Sequence, residues 1–179
     1  MYNDIFNNND MIKLQELLRA NKQTITSAES CTGGLVASMI TKIAGSSDIF
    51  NGSIVTYSNK IKNQELKVKN ETLENFGAVS CEVVSEMLEG VISKFEADYA
   101  IAISGIAGAT SDTKNNPVGT VVIGISDSKY HKNVNIHYFK GSREEVQIQT
   151  AKHSLKEILK FHQNTLDKSI KSYYNSSPI

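Results

Sequence analysis

The stretch Thr24-Ile-Thr-Ser-Ala-Glu-Ser-Cys-Thr-Gly-Gly-Leu-Val-Ala37 decides how the rest of the chain reads. Thr24–Ala28 has the composition of a short strand, Gly33 and Gly34 interrupt it, and an apolar run follows that predicts a helix over about 34–43. Such a strand–turn–helix unit delivers the hydroxyls of Ser30 and Thr32 and the unpaired N–H groups of a first helical turn to one place. A helix N-terminus carries positive partial charge, so the turn is expected to receive an anion, either a phosphate or a tetrahedral oxyanion. Without Cβ atoms, Gly33 and Gly34 let a ligand approach the backbone. Downstream, Tyr57 and Lys62 complete a set of side chains able to generate a nucleophile. The active site is expected here.

Working outward, Met11, Ile12, Leu14, Leu17 and Leu18 repeat at helical spacing, with Asp10 placed as a cap. Ile49–Tyr57 reads as a second strand, Lys60–Leu66 as a short helix, and Glu71–Phe76 as another, ended by Gly77. Ser80 is placed to cap a helix over Glu82–Phe95, and Tyr99–Ser104 is a near-continuous apolar strand of the kind covered on both faces. That strand runs into a second glycine turn, Gly105-Ile-Ala-Gly108. Gly119–Ile125 and Val134–Phe139 read as an antiparallel pair, and Ser142 with Glu145 has capping-box spacing ahead of a helix to about Phe161. Alternating strands and helices predict an α/β fold with helices on both faces of a mixed sheet. Ligands of such sheets sit at the carboxyl ends of strands near a switch in strand order, so the two glycine turns are expected to share one cleft. Residues 1–9 read as a flexible lead-in, 10–162 as a single domain, and 163–179 as a polar tail.

The 179 residues include 19 basic and 19 acidic ones, a balance that argues against a nucleic-acid surface. Two cysteines make neither a disulfide framework nor a metal spacing, and no apolar run reaches the length of a membrane span. Residues 1–10 are Asn-rich and lack a signal-peptide core, so a reducing, cytoplasmic setting is expected.

Four side chains carry the candidate chemistry: Ser30, Ser47, Tyr57 and Lys62. A serine hydroxyl needs a base, and a lysine whose pKa is lowered by burial is one. Tyrosine is able to relay a proton or hold the lysine. His131, His137, His153 and His162 all lie in the last third of the chain, outside any triad-like context. Cys31 has no evident His or Lys partner and reads as a small buried hydrophobe. Neither glycine turn matches a dinucleotide or P-loop fingerprint. Arg143, at a helix start, is suited to a phosphate. The plain alternative is that the serines cap helices and Lys62 is solvated.

Several strings together shift that balance. Ala28-Glu-Ser-Cys-Thr-Gly-Gly34, Ile43-Ala-Gly-Ser-Ser47, Val55-Thr-Tyr-Ser-Asn59, Ala78-Val-Ser80, Ile103-Ser-Gly-Ile-Ala-Gly108 and Pro117-Val-Gly-Thr120 resemble, in this order, the CinA C-terminal domain family. The resemblance implies a three-layer α/β/α sandwich around a mixed, mostly parallel sheet. It implies a nicotinamide-nucleotide amidase that converts nicotinamide mononucleotide and water to nicotinic acid mononucleotide and ammonia, with no metal and no cofactor. The family's catalytic residues would fall on Ser30, Ser47, Tyr57 and Lys62, and sequence leaves both serines open as the nucleophile. Family substrate-binding positions would fall on Ser104 and Arg143, and the glycine turns themselves set Thr32, Gly33, Gly34 and Gly105 to cradle a phosphate. Oxyanion donors would come from the backbone near Thr32–Gly34 or Ser46–Ser47. Larger family members carry a further N-terminal domain, so a stand-alone form is expected, and homo-oligomers are common in the family. One departure is the continuation Ala109-Thr-Ser-Asp-Thr-Lys, where the family usually has Pro and a Gly-rich, acidic loop. The rival readings are a non-catalytic nucleotide-binding or regulatory module and, from the family's name, a DNA-associated protein, which the neutral charge opposes.

Overall fold

The computed structural model describes residues 2–108 and 116–176, with side chains to Asp167. The departing loop 109–115 therefore lies outside the described residues. Strands β1 (Ile25–Glu29), β2 (Phe50–Val55), β3 (Tyr99–Gly105), β4 (Thr120–Asp127) and β5 (Lys132–Tyr138) form one sheet in the order β2-β1-β3-β4-β5. β1 pairs parallel to both β2 and β3, whereas β3/β4 and β4/β5 are antiparallel. The expected α/β class and mixed sheet are what the chain forms.

The helices are α1 (Asn8–Ala20), α2 (Leu35–Thr41), α3 (Asn59–Leu66), α4 (Asn70–Phe76), α5 (Cys81–Phe95) and α6 (Arg143–Ser176). After β1 the chain crosses to β2 through α2, then returns past β1 to β3 through α3, α4 and α5. Right-handed crossovers made in opposite directions along a sheet put their helices on opposite faces. Accordingly, Leu14, Leu18, Val36, Ile40, Val146 and Leu155 cover one face, against Ile25, Ile101, Ile103, Ile123 and Ile125. Val84, Met87, Leu88 and Val91 of α5, with Leu66 of α3, cover the other, against Ala28, Ala100, Ala102 and Val122. The small residues on that second face let α5 sit close: a Cβ on Gly124 would lie 2.6 Å from Val84 and 2.8 Å from Leu88. The reversal of direction at β1 leaves a crevice beyond the carboxyl ends of β1 and β3.

The local signals agree with the structure except at the start of α1, in the lead-in and at the end of α6. The first helix is capped by Asn7 rather than Asp10: Asn7 Oδ1 accepts from the amides of Asn9 and Asp10, while the Asp10 carboxylate accepts from Asn7 N. Asp10 is thus the reciprocal member of a capping box. Phe6 is buried, and Lys152 Nζ donates to Tyr2 O (3.1 Å) and Asn3 Oδ1 (2.9 Å), tying the lead-in to α6. At the other end, α6 passes Phe161 and continues to Ser176. Ser80 caps α5 as expected, and Ser142 and Glu145 form their reciprocal pair ahead of α6.

Candidate active site

Side chains alternate along β1, so Ile25, Ser27 and Glu29 face α2 while Ala28 faces α5. Continuing that alternation, Ser30 emerges on the α3–α5 side. There it meets Lys62, which projects from the first turn of α3, itself started by Ser58 whose hydroxyl caps the amide of Ile61. Lys62 Nζ lies 3.2 Å from Ser30 Oγ and donates to Thr56 O at 2.8 Å. Thr56 N in turn donates to Glu29 O at 2.7 Å. A ring of short contacts thus runs from Ser30 through the Glu29 carbonyl and Thr56 to the lysine and back.

Lys62 is 1% exposed. Burial pushes its ammonium down from 10.5 to about 8, with neighbouring Cys31 opposing. Burial also pushes the Cys31 thiol up to about 12, so at neutral pH it is an uncharged, weakly reactive group, as the sequence implied. A lysine whose neutral form is accessible near neutral pH, with Ser30 as hydrogen-bond neighbour, is the arrangement a serine–lysine dyad needs.

The dyad opens into a cavity of about 280 Å³ whose other walls include Asn59, Val79, Gly105, Gly108 and Arg143. Arg143 Nη2 donates to Tyr57 Oη at 2.7 Å, and the guanidinium also lies against the bare Cα of Gly108. Tyr57 and Arg143 are exposed and stand at the rim. The lysine is therefore held by the Thr56 carbonyl, and Tyr57 pairs with the arginine instead. Ser104 is 1% exposed and lines the wall, but its hydroxyl donates to Ala78 O at 2.6 Å, joining β3 to the α4–α5 connection. A Cβ at Gly105 would lie 2.7 Å from Val121 Cγ2, so this glycine permits the close β3–β4 pairing as well as forming the wall.

Two expected contributors lie elsewhere. Ser47 is exposed in the 3₁₀ turn Ser46–Asp48 before β2, where Ile49 O accepts from Ile25 N at the amino end of β1. The length of β1, about 16 Å at roughly 3.3 Å per residue, separates that end from Ser30. Thr32, Gly33 and Gly34 line a separate groove of about 400 Å³ between α2 and α6. Their donors are also engaged: Gly33 N bonds Ser30 O, while Thr32 Oγ1 and Gly34 N both donate to Glu29 Oε2. The anion expected at the start of α2 is thus already present, as the Glu29 carboxylate.

Sequence reading missed Glu29, Thr56 and Asn59 as parts of the site. For Glu29 there was a signal: an acid ending a strand just before a helix start is placed to accept from that helix's first N–H groups. Thr56 acts through its carbonyl, which no residue type advertises. Among the described residues no group of three or more His, Cys, Asp or Glu is arranged to hold a metal ion, and no helix is long and apolar enough to cross a membrane.

Residues 9–162 match the model of the CinA C-terminal domain. The chain belongs to this family. Among CinA relatives, the CinA-like protein of Endomicrobium trichonymphae is 49% identical over 139 residues, covering 78% of this chain and 32% of that protein. The CinA-like protein of Syntrophomonas wolfei is 43% identical over 158 residues, 88% of this chain and 38% of its own length. The chain spans about a third of the length of these CinA-like relatives. A competence-damaged protein (CinA) superfamily structure from Klebsiella pneumoniae superposes with a TM-score of 0.84 at 30% identity, covering 87% of this chain and 97% of that one. The competence/damage inducible protein CihA of Agrobacterium tumefaciens gives 0.77 at 32% identity, covering 84% and 94%. The CinA fold thus accounts for the three-layer sandwich.

Proposed function

We propose that this CinA domain is a nicotinamide-nucleotide amidase that hydrolyses the carboxamide of nicotinamide mononucleotide to nicotinic acid mononucleotide and ammonia. The observation that carries the reading is the buried Lys62 amine beside Ser30 Oγ at the floor of an open cavity. Neutral Lys62 takes the Ser30 proton as Ser30 Oγ attacks the carboxamide carbon. The lysine then returns that proton to the departing nitrogen, ammonia leaves, and water cleaves the ester to the carboxylate, restoring the serine. In this reading Ser30 is the nucleophile, and the oxyanion is received by backbone of the Gly105–Gly108 turn that lines the cavity. The phosphate of the nucleotide lies at the rim against Arg143 and the Tyr57 hydroxyl, since Glu29 holds the alternative place at α2.

The experiment is ammonia release from nicotinamide mononucleotide by the parent and by Lys62→Met, with ligand binding measured in parallel. Turnover by the parent, its loss in the variant and retained binding in both are expected. Binding without turnover in the parent would overturn the amidase reading in favour of a non-catalytic nucleotide-binding module.

A further inference from the structure

We propose that Glu29, which no substrate can reach, is the positioning residue of the Ser30–Lys62 pair; this rests on the amidase reading and deepens it. Glu29 is fully buried at the end of β1. Its Oε2 accepts from Thr32 Oγ1 (2.7 Å), Gly34 N (3.0 Å) and Val36 N (3.1 Å), and its Oε1 accepts from Ala37 N (2.9 Å) and Ser27 Oγ (3.3 Å). Ser27 Oγ is also 2.7 Å from Ser53 Oγ on β2. One side chain therefore fixes the path of residues 32–37 directly after Ser30 and links it to the neighbouring strand. Through its own carbonyl the same residue orders Thr56, whose carbonyl holds Lys62 Nζ. Both members of the dyad are thus set by Glu29, one through its side chain and one through its main chain.

The requirement is for an accepting oxygen at both positions rather than for bulk. Each oxygen of Glu29 faces at least one backbone N–H, which can only donate, so a glutamine in the same place sets its NH₂ against an N–H in either orientation: Gly34 and Val36 at one oxygen, Ala37 at the other. Relief of that conflict has to come from movement of the turn. Displacement of a reacting atom by about 1 Å costs on the order of 100-fold in rate.

Glu29→Gln and Thr32→Val, the latter removing one donor, test this in the full chain. With nicotinamide mononucleotide, Glu29→Gln is expected to lower kcat by about 10–100-fold with KM within about threefold, and Thr32→Val to lower kcat by about threefold. The acid limb of the rate profile should stay near 8 in both, because Lys62 remains buried. A second readout needs no amide: the rate at which an alkyl phosphonofluoridate modifies Ser30, followed by mass. There Ser30 Oγ bonds phosphorus, fluoride leaves, and Lys62 takes the hydroxyl proton. The same losses in labelling are expected, and they hold for Glu29 even if the parent releases no ammonia, in which case the amidase reading alone falls. Folded variants that label and turn over at the parent's rate, changed only in thermal stability, overturn the proposal. So does a rise in KM at unchanged kcat, or a parent that neither turns over nor labels. If Glu29→Gln does not fold, unchanged labelling in Thr32→Val overturns it.

Discussion

The two sides of the carboxyl end of β1 differ in how well their charged groups are matched. On the α2 side, a buried carboxylate has five donors around it and the helix start it faces is an electrostatic partner. On the α3 side, a lysine that is 1% exposed has one carbonyl and one hydroxyl, and burial drives it toward its neutral form. The first arrangement stabilises; the second holds a group against its preferred charge state and leaves it facing a cavity. Glu29, the last residue of β1, and Ser30 directly after it thus serve architecture and chemistry respectively. The difference teaches that the better-satisfied polar cluster is the scaffold, and the less satisfied one is where reactivity is stored.

The largest effect that would break this comparison concerns the two serines. Ser30→Ala should lower ammonia release by at least about 1,000-fold, as loss of a nucleophile does, while Ser47→Ala should leave it within about twofold. Steady-state kinetics on both variants decide it. Comparable losses in the two would mean that the exposed 3₁₀ turn reaches a reacting centre, which the separation across β1 opposes within one chain.

What sequence made legible follows the same division. Among the described residues, periodicity and caps located the five strands and the six α-helices, though not the 3₁₀ turn at Ser46–Asp48 or the full length of α6, because amphipathic faces and capping side chains are local properties. Ser30 and Lys62 were legible as a pair because both residue types carry their chemistry in the side chain. Ser47 was placed with them on the strength of a motif, and only the direction of β1 shows that it belongs to the opposite end of the sheet. The glycine turn at 33–34 reads from sequence as the seat of a ligand's phosphate or oxyanion, whereas the Glu29 carboxylate takes its donors. Its anion is internal, since β1 alternation directs Glu29 under α2, and that depends on strand pairing and helix position together. Thr56 was not legible at all, because its contribution is a carbonyl.

The second prediction sharpens the contrast in stability. A lysine that titrates at 10.5 unfolded and about 8 folded destabilises the fold by about 3 kcal/mol once both states can bind the proton. This loss is absent above the unfolded value, grows as pH falls from 10.5, and is complete below about 8. Lys62→Met should therefore raise the melting temperature at pH 7 by about 5 °C, after allowance for the hydrogen bond lost at Thr56 O. The gain should shrink as pH rises toward 10. Calorimetry at several pH values checks it, and a destabilised, pH-independent Lys62→Met would mean that the amine is not strained.

The smallest effect is the pH dependence of turnover itself, and it is the most diagnostic of which group is the base. Only neutral Lys62 can take the Ser30 proton, so the active fraction is half at about 8 and falls about tenfold per unit below it. Turnover should therefore be about tenfold lower at pH 6 than at pH 7, approaching a plateau only above pH 8. The other groups near the cavity do not produce this limb. The Cys31 thiol is held up to about 12, and among the described residues no histidine lines the cavity: His137 lies against Glu157, His153 against Phe139 and His162 against Gln23. A limb centred near 6.5 in kcat/KM would assign the base to a histidine and remove Lys62 from that role. A limb near 8 that disappears in residual Lys62→Met activity would tie the ionisation to the lysine, and with it the division of labour between the two sides of β1.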